Sequence, residues 1–429
     1  MFQVFRNAWK IEELRKKIIF TLFIILLYRV GNAVPVPYIN VAALKSYFDS
    51  MQDTALGLIN VMSGSAFSNA TIFALSIQPY INASIIIQLL CIAIPALERL
   101  QKEGGEEGRK KISSITRYAT VVIGLIQGAG FYMLMRNYGI LNADAPRFWA
   151  AIVIVMTFCA GSALLMWLGE QITEFGIGNG ISIILFASII SRLPTAVYRV
   201  IMNLSTGALS VVGFIGIIIG VAVIIVLIIY VTNAERRIPV QYSKRVVGRK
   251  MYGGQSTYLP MKVNMSGVMP IIFAQSIASI PATIASFMQK PSEGSFWDGF
   301  LKAINTDSIL YMIIYFLLII AFGYFYATIQ FNPIEVANNL KKNGGFIPGF
   351  RAGKPTSEFI SRVLNRITLF GSIYLGVVAA LPIAFSRITK AAGISLGGTS
   401  IIIVVGVSIE IVQTLENQML MRHYKGFLE

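Results

Sequence analysis

Apolar runs long enough to cross a bilayer recur along the chain, separated by polar connections. They fall near 18–36, 72–97, 115–135, 148–168, 181–200, 211–231, 267–288, 309–329, 367–385 and 400–420. A hydrocarbon core of about 30 Å takes roughly 20 apolar residues in a helix, so the pattern predicts ten spans. The fifth run is interrupted by Arg192 and Pro194. Backbone in lipid must satisfy its own hydrogen bonds, which favours helices for such runs. The expected fold class is an all-α polytopic membrane protein with ten transmembrane helices.

Composition agrees: 55% of residues are apolar and 13% charged, against about a quarter charged in soluble domains. The formal net charge is +16, from 36 Lys and Arg against 20 Asp and Glu. In an aqueous fold that excess would suggest nucleic acid, but here its placement decides. Successive connections alternate between rich and poor in Lys and Arg, 24 on one side against nine on the other. Positive loops stay inside, so both termini are expected in the cytoplasm. Residues 1–17 are basic, yet the run that follows is long enough to span and lacks a small-residue cleavage site. A bacterial inner membrane is the expected location.

The chemistry of enzymes is sparse. Cys91 and Cys159 each lie in an apolar run without CxxC spacing, as small buried hydrophobes do. His423, the single histidine, cannot build a metal site alone. There is no GxxxxGK[ST] loop for ATP. Neither a cofactor nor a metal is expected, and no catalytic role. A membrane enzyme would need HExxH, GxSxG or paired intramembrane aspartates.

A faint repeat divides the chain. Span 2 carries Pro79-Tyr80-Ile81-Asn82-Ala83 and span 7 Pro270-Ile271-Ile272-Phe273-Ala274, both P-x-I-x-A. Span 5 opens Gly180-Ile181-Ser182-Ile183-Ile184-Leu185 and span 10 Gly398-Thr399-Ser400-Ile401-Ile402-Ile403. The matches sit at the second and fifth members of two sets of five, and an odd set reverses its direction in the membrane. The halves are 1–205 and 206–429. An inverted repeat puts a functional site near the midplane between them; coincidence in a restricted alphabet is the competing explanation.

Secondary transporters share such repeats, but they need ionisable or polar ligands at mid-depth. Few ionisable residues lie within these runs: Arg29 and Glu410, with Glu98, Glu170 and Glu416 near ends. The echoed positions hold Ile81, Ile85, Ile181, Leu185, Ile272 and Ile403 instead. Ile81/Ile85 and Ile181/Leu185 are i, i+4 pairs and share helix faces. Singly, each reads as ordinary packing; as a set they read as a dry constriction that seals by dewetting.

Before span 2, residues 55–70 (ALGLINVMSGSAFSNA) are uncharged and too short to span. They read either as a half-helix tucked into a protein-lined cavity or as a surface loop. Residues 232–266 combine seven basic residues with alternating Val, Ile and Tyr, a hairpin pattern. Residues 330–366 form a second long loop. Both exceed the length of a turn. They could enforce topology, touch anionic lipid or dock a protein or ribonucleoprotein.

Five strings carry a resemblance: IFALSIQPYINASIIIQLL (72–90), MWLGEQITEFGIGNGISII (166–184), YGGQSTYLPMKVNMSGVMPIIFA (252–274), FNPIEVANNLKKNGGFIPGFRAGKPTSEFI (331–360) and GGTSIIIVVG (397–406). Over essentially its whole length the chain resembles the SecY family, the channel subunit of the bacterial Sec protein translocon. The resemblance implies two inverted five-helix halves around an hourglass pore that conducts unfolded secretory chains and releases transmembrane segments sideways. The family's aliphatic pore ring would fall on Ile81, Ile85, Ile181, Leu185, Ile272 and Ile403, with Leu185 where isoleucine is usual. Its plug would fall on 60–71, including Asn60, Met62, Ser63, Gly64, Ser65, Phe67 and Asn69. Its lateral gate would lie between spans 2 and 3 and spans 7 and 8, with Ser84, Gln88, Gln275 and Ser276 as polar candidates. The loop tip at 244–250 (Lys244, Arg245, Arg249, Lys250) would engage the ribosome or motor ATPase, and Arg351 would serve motor-driven translocation. Implied partners are the small membrane subunits SecE and SecG, the SecA motor ATPase, the ribosome, signal sequences, nascent or unfolded polypeptides and membrane lipids.

Overall fold

A computed structural model describes residues 2–50, 57, 60, 63–102, 104–142, 146–207, 210–242, 245–247, 250–252, 256–265, 267–287, 308–389 and 398–425. Among the described residues, each of the ten apolar runs overlaps a helix or a helix pair. In chain order the helices are α1 (Phe2–Lys10), α2 (Glu12–Gly31), α3 (Val41–Ser50), α4 (Gln78–Ala93), α5 (Pro95–Lys102), α6 (Gly105–Asn137) and α7 (Arg147–Phe175). Then follow α8 (Gly180–Ile190), α9 (Leu193–Ser205), α10 (Val211–Asn233), α11 (Met269–Phe287), α12 (Ile309–Gln330), α13 (Pro333–Lys342), α14 (Lys354–Thr389) and α15 (Gly398–Lys425). Among the described residues, seven helical segments are long and apolar enough to cross a membrane, and a bent pair makes an eighth. The other two runs fall short for local reasons. Helix α2 spends its first turns on Glu12, Glu13, Arg15, Lys16 and Lys17, and the apolar part of α11 is the short stretch Met269–Pro281.

The breaks follow from sequence. Helices α4 and α5 meet at 105°, where Pro95 removes an amide and pushes Ile94 to an extended conformation (φ −108°, ψ 112°). The interruption read at Arg192 and Pro194 is a real break: α8 stops at Ile190, and Pro194 sits in the first turn of α9, where its missing N–H costs nothing. Run 72–97 is helical only from Gln78; residues 63–77 form successive turns. Asn179 caps α8 through Ile181 N and Ser182 N, and Ser210, Ser308 and Asn332 cap α10, α12 and α13.

Helix α6 packs on α4 and α7, and α7 on α8 and α2. Helix α12 packs on α11 and α14, and α14 on α15. Contacts between the earlier and later helices form two seams. One joins α4 and α6 to α11, and the other joins α8 to α15 and α9 to α10, with α1 also packed on α15. Small residues permit the closest approaches: a Cβ on Gly180 would strike the Gly169 carbonyl, and one on Gly161 the Ile72 carbonyl.

The hairpin expected in 232–266 is present. Strand β1 (Glu235–Tyr242) pairs antiparallel with β4 (Ser256–Lys262), and β2 (Arg245–Val247) pairs with β3 (Lys250–Tyr252) at its tip. The sequence did not reveal that the second loop joins it. Strand β5 (Gly345–Phe346) pairs Gln241 with Phe346 and Tyr242 with Gly345, completing the order β4-β1-β5. Ile238, Val240, Met261, Ile347, Ile360 and Leu364 form a core beneath that sheet. Its base is tied to the bundle by Lys262 Nζ donating to Gln413 Oε1 at 2.7 Å, and by Gln413 Nε2 donating to Asn233 Oδ1 at 3.1 Å. Nearby on α15, Leu415 packs with Ala8 and Leu14, so the N-terminal helix and the sheet share one face of the bundle.

Candidate functional site

The six aliphatic residues singled out from the repeat converge. Ile81, Ile85, Leu185, Ile272 and Ile403 are buried in one apolar cluster, and half-buried Ile181 packs against it. They come from α4, α8, α11 and α15. The echoed motifs also occupy equivalent helical places: Pro79 and Pro270 are each the second residue of their helix, while Gly180 and Gly398 are each the first. Proline is tolerated at a helix start, which is why the motif survives there. Leu185 is fully buried, so the exchange of isoleucine for leucine leaves no opening on this side.

Residues 63–77 lie between two cores. Ala66, Phe73 and Ile77 belong to the cluster that holds the six aliphatic residues. Phe67, Ala70, Ala74 and Leu75 belong to a second cluster with Leu44, Phe48, Phe131 and Phe158. Phe67 is fully buried and sits edge-on against Phe48 (ring centroids 4.7 Å) and against Phe131. The half-helix anticipated here is not what forms across 63–70. Instead local hydrogen bonds stitch turns together: Ser68 N to Asn60 Oδ1 (3.0 Å), Ser65 N to Asn60 O (3.0 Å), Phe67 N to Ser63 Oγ (3.3 Å) and Thr71 Oγ1 to Ala66 O (3.2 Å). Ser, Thr and Asn side chains compete with helix in this way. Ser65, Ala70 and Ser76 take left-handed backbone (φ 69°, 47° and 51°), a conformation that costs L-residues about 1–2 kcal/mol each. Val36 N to Ala70 O (2.8 Å) and Ile72 N to Val34 O (3.1 Å) clip the segment to the chain leaving α2. Gly64 and Asn69 are half-buried in it, and Met62 lies outside the described residues.

At the α4–α11 seam, Gln88 Nε2 donates to Ser84 Oγ within α4 (3.1 Å). A long hydrogen bond from Gln78 Nε2 to Ser276 Oγ (3.5 Å) crosses to α11. Sequence reading missed Gln78, whose place at the first helical residue was hidden by the apolar run before it. Gln275 is buried on α11, and its Oε1, like Gln88 Oε1, has no hydrogen-bond partner among the described residues.

Of the basic residues expected at the hairpin tip, Lys244 and Arg249 lie outside the described residues, and Arg245 and Lys250 begin strands β2 and β3. Arg351 is exposed in the turn between β5 and α14. Its carbonyl accepts from Thr356 Oγ1 at 2.8 Å, and Gly349 and Gly353 flank it at φ 87° and 107°.

Fold and site together define a polytopic helical membrane protein assembled around a buried aliphatic cluster. The family model described as SecY matches residues 71–412. The chain is 44% identical to the protein translocase subunit SecY of Streptomyces scabiei over 443 residues, and 46% identical to that of Streptomyces galbus over 444, with 100% of each chain covered. It belongs to the SecY family. Among solved structures it resembles a SecY channel whose plug domain is described as stabilising the closed state (TM-score 0.67, 20% identity, 94% and 92% of the two chains covered). It also resembles Sec61 in the canine ribosome–channel complex (TM-score 0.62, 17% identity, 94% and 92% covered). These likenesses show a shared fold.

Proposed function

We propose that this chain is the protein-conducting channel of a Sec translocase, passing unfolded polypeptides across a membrane and releasing apolar segments sideways into lipid. The observation that carries the reading is the meeting of Ile81, Ile85, Ile181, Leu185, Ile272 and Ile403 from four helices. A polypeptide backbone cannot cross hydrocarbon unaided. A ring of branched aliphatic side chains lets it through while offering no hydrogen bonds to hold it, and closes by dewetting when empty.

Residues 60–71 act as the plug over that ring, and the α4–α11 seam is the lateral gate. A signal helix binds better to a parted seam than to a closed one, and so shifts the population toward the open state. The length of the Gln78–Ser276 contact that crosses it (3.5 Å) favours that seam as the place that opens. The chain folds as two inverted halves, 1–205 and 206–429, hinged at the α8–α15 and α9–α10 contacts. Its basic face is cytoplasmic, with both termini on that side, in a bacterial inner membrane.

Energy comes from a partner, since the chain carries no nucleotide-binding loop. The sheet shared by both loops, with Arg245, Lys250 and Arg351 on it, is the docking surface for the SecA motor or the ribosome. SecE and SecG accompany the channel in the membrane. The test is export by Arg351→Glu in a strain depleted of the native chain. Motor-dependent precursor processing should fall by at least tenfold while the variant inserts at normal levels. Unchanged processing would remove Arg351 from the docking surface, and normal export without the chain would remove the channel function itself.

A further inference from the structure

The segment read as the plug is held by one buried phenol that the waist shares. Tyr28 lies on α2 and is almost wholly buried, as are Ser63 and Ser188. Its hydroxyl lies 3.2 Å from the Ser63 carbonyl, at the start of the turns, and 2.6 Å from Ser188 Oγ on α8. Its ring stacks on Phe73 (centroids 5.9 Å, 20° between planes), towards the end of the same turns. Gly31, one turn along α2, leaves the room that Phe73 fills. Tyr28 therefore holds the segment at Ser63 and holds the chain again at Phe73, two residues past the segment's end. On the other side Gly64 lies against the Ser188 backbone and the Ser191 hydroxyl, and Ser191 Oγ donates to Ser188 O at 2.6 Å.

Counting protons shows how the grip is made. Each hydroxyl has one proton to give. Three contacts compete for two: Tyr28 to Ser63 O, Tyr28 with Ser188 Oγ, and Ser188 Oγ to Ile184 O at 2.8 Å. The Ile184 carbonyl belongs to the α8 backbone ladder and does not depend on the Ser188 proton. The Ser63 carbonyl, in a turn, has besides Tyr28 a longer contact from Ala66 N (3.3 Å). When Ser188 donates to Tyr28, Tyr28 is free to donate to Ser63 O, and the chain Ser188→Tyr28→Ser63 is complete. When Ser188 turns back to Ile184 O, the single Tyr28 proton can serve Ser188 Oγ or Ser63 O but not both, and the link from α8 to the segment is incomplete.

Ser188 is one turn from Leu185 on the helix that also carries Ile181. We propose that Tyr28 is a positioning residue that latches the plug to α8, so that the displacement of α8 which widens the waist also releases the plug. The inference rests on reading residues 60–71 as a plug. It makes opening of the ring and departure of the plug one event rather than two. A passing chain that pushes Leu185 aside withdraws Ser188 and the α8 backbone against which Gly64 rests, so the segment loses its link to α8 and is left with the 3.2 Å contact to Tyr28 alone on that side. Buried hydrogen-bond chains are switches of this type because an unpaired member is costly in low dielectric.

The test uses the full chain, purified with the membrane subunits that accompany it, in planar bilayers and in precursor-import vesicles. Tyr28→Phe keeps the ring and its stacking on Phe73 and removes only the hydroxyl. It should raise idle ion conductance about tenfold, the order set by one buried hydrogen bond. It should also raise import of a precursor with a weakened signal relative to one with an intact signal. Ser188→Ala should move both readings the same way, and the double variant should add nothing to Tyr28→Phe, since both remove one chain. Unchanged conductance and import ratio in either accumulating single variant, or fully additive effects, would overturn the latch; if Tyr28→Phe does not accumulate, Ser188→Ala carries both readings. A chain lacking 60–71 separates the two ideas. No leak from it sinks the plug reading itself, whereas a leak from it beside a tight Tyr28→Phe sinks only the latch.

Discussion

The aliphatic cluster proposed as the channel's waist and the segment proposed as its plug are built in opposite ways. The waist has six branched aliphatic residues contributed by four helices, joined only by dispersion and the exclusion of water. Residues 63–77 are stitched by directional bonds from Asn60, Ser63, Ser68 and Thr71, and they hold three non-glycine residues in left-handed backbone. A contact without direction can yield and reclose around whatever passes, because no angle has to be restored. A segment that stores strain against specific bonds has one good position and leaves it in a single step. A channel needs both: a gasket that adapts and a stopper that does not drift.

The largest effect should come from the stopper's anchor. Phe67→Ala removes a fully buried ring from contact with Phe48 and Phe131, and should cost about 3–5 kcal/mol of folding stability. Thermal unfolding in detergent would show the loss, and idle conductance should rise with it. A cost below about 1 kcal/mol would mean the segment is not anchored there. In the waist, Ile272→Ala should cost less, about 2 kcal/mol, at the low end for such truncations because neighbouring aliphatic chains can close the gap. A cost equal to that of Phe67→Ala would erase the distinction between an adaptable ring and a fixed stopper. Smallest of all, Ser65→Gly should stabilise the chain by up to about 1 kcal/mol, since glycine relieves the left-handed backbone at a half-buried position. Clear destabilisation by Ser65→Gly would show that its side chain, not its backbone, matters.

How legible this was depended on whether the signal was periodic or contextual. Helices announced themselves by apolar length, and the interruption at Arg192 and Pro194 fell where α8 gives way to α9. That the six aliphatic residues share one buried cluster was legible because a motif repeats at equivalent helix starts. Span 2 could not be placed from hydropathy: Ile72 to Ile77 are as apolar as the helix that follows, yet they turn, held by contacts far away in sequence. The same limit hid Tyr28, an ordinary aromatic in an apolar run until Ser63 and Ser188 come to it across 35 and 160 residues. It also hid the joining of the two basic loops, because a two-residue strand such as Gly345–Phe346 carries no period at all. Local chemistry was readable where it acts locally, as at the Asn179 and Asn332 caps.

The central claim is that translocating chains pass through the aliphatic ring. Single cysteines placed at Ile81 and at Ile403, with a control at Val212 on the exposed flank of α10, can be oxidised against a cysteine in a precursor stalled midway. Cys91 and Cys159 are first replaced by alanine, since both are free thiols. The account predicts crosslinks at both ring positions and none at Val212. Absence of a crosslink at both ring positions with insertion intact, or equal crosslinking at Val212, would contradict it.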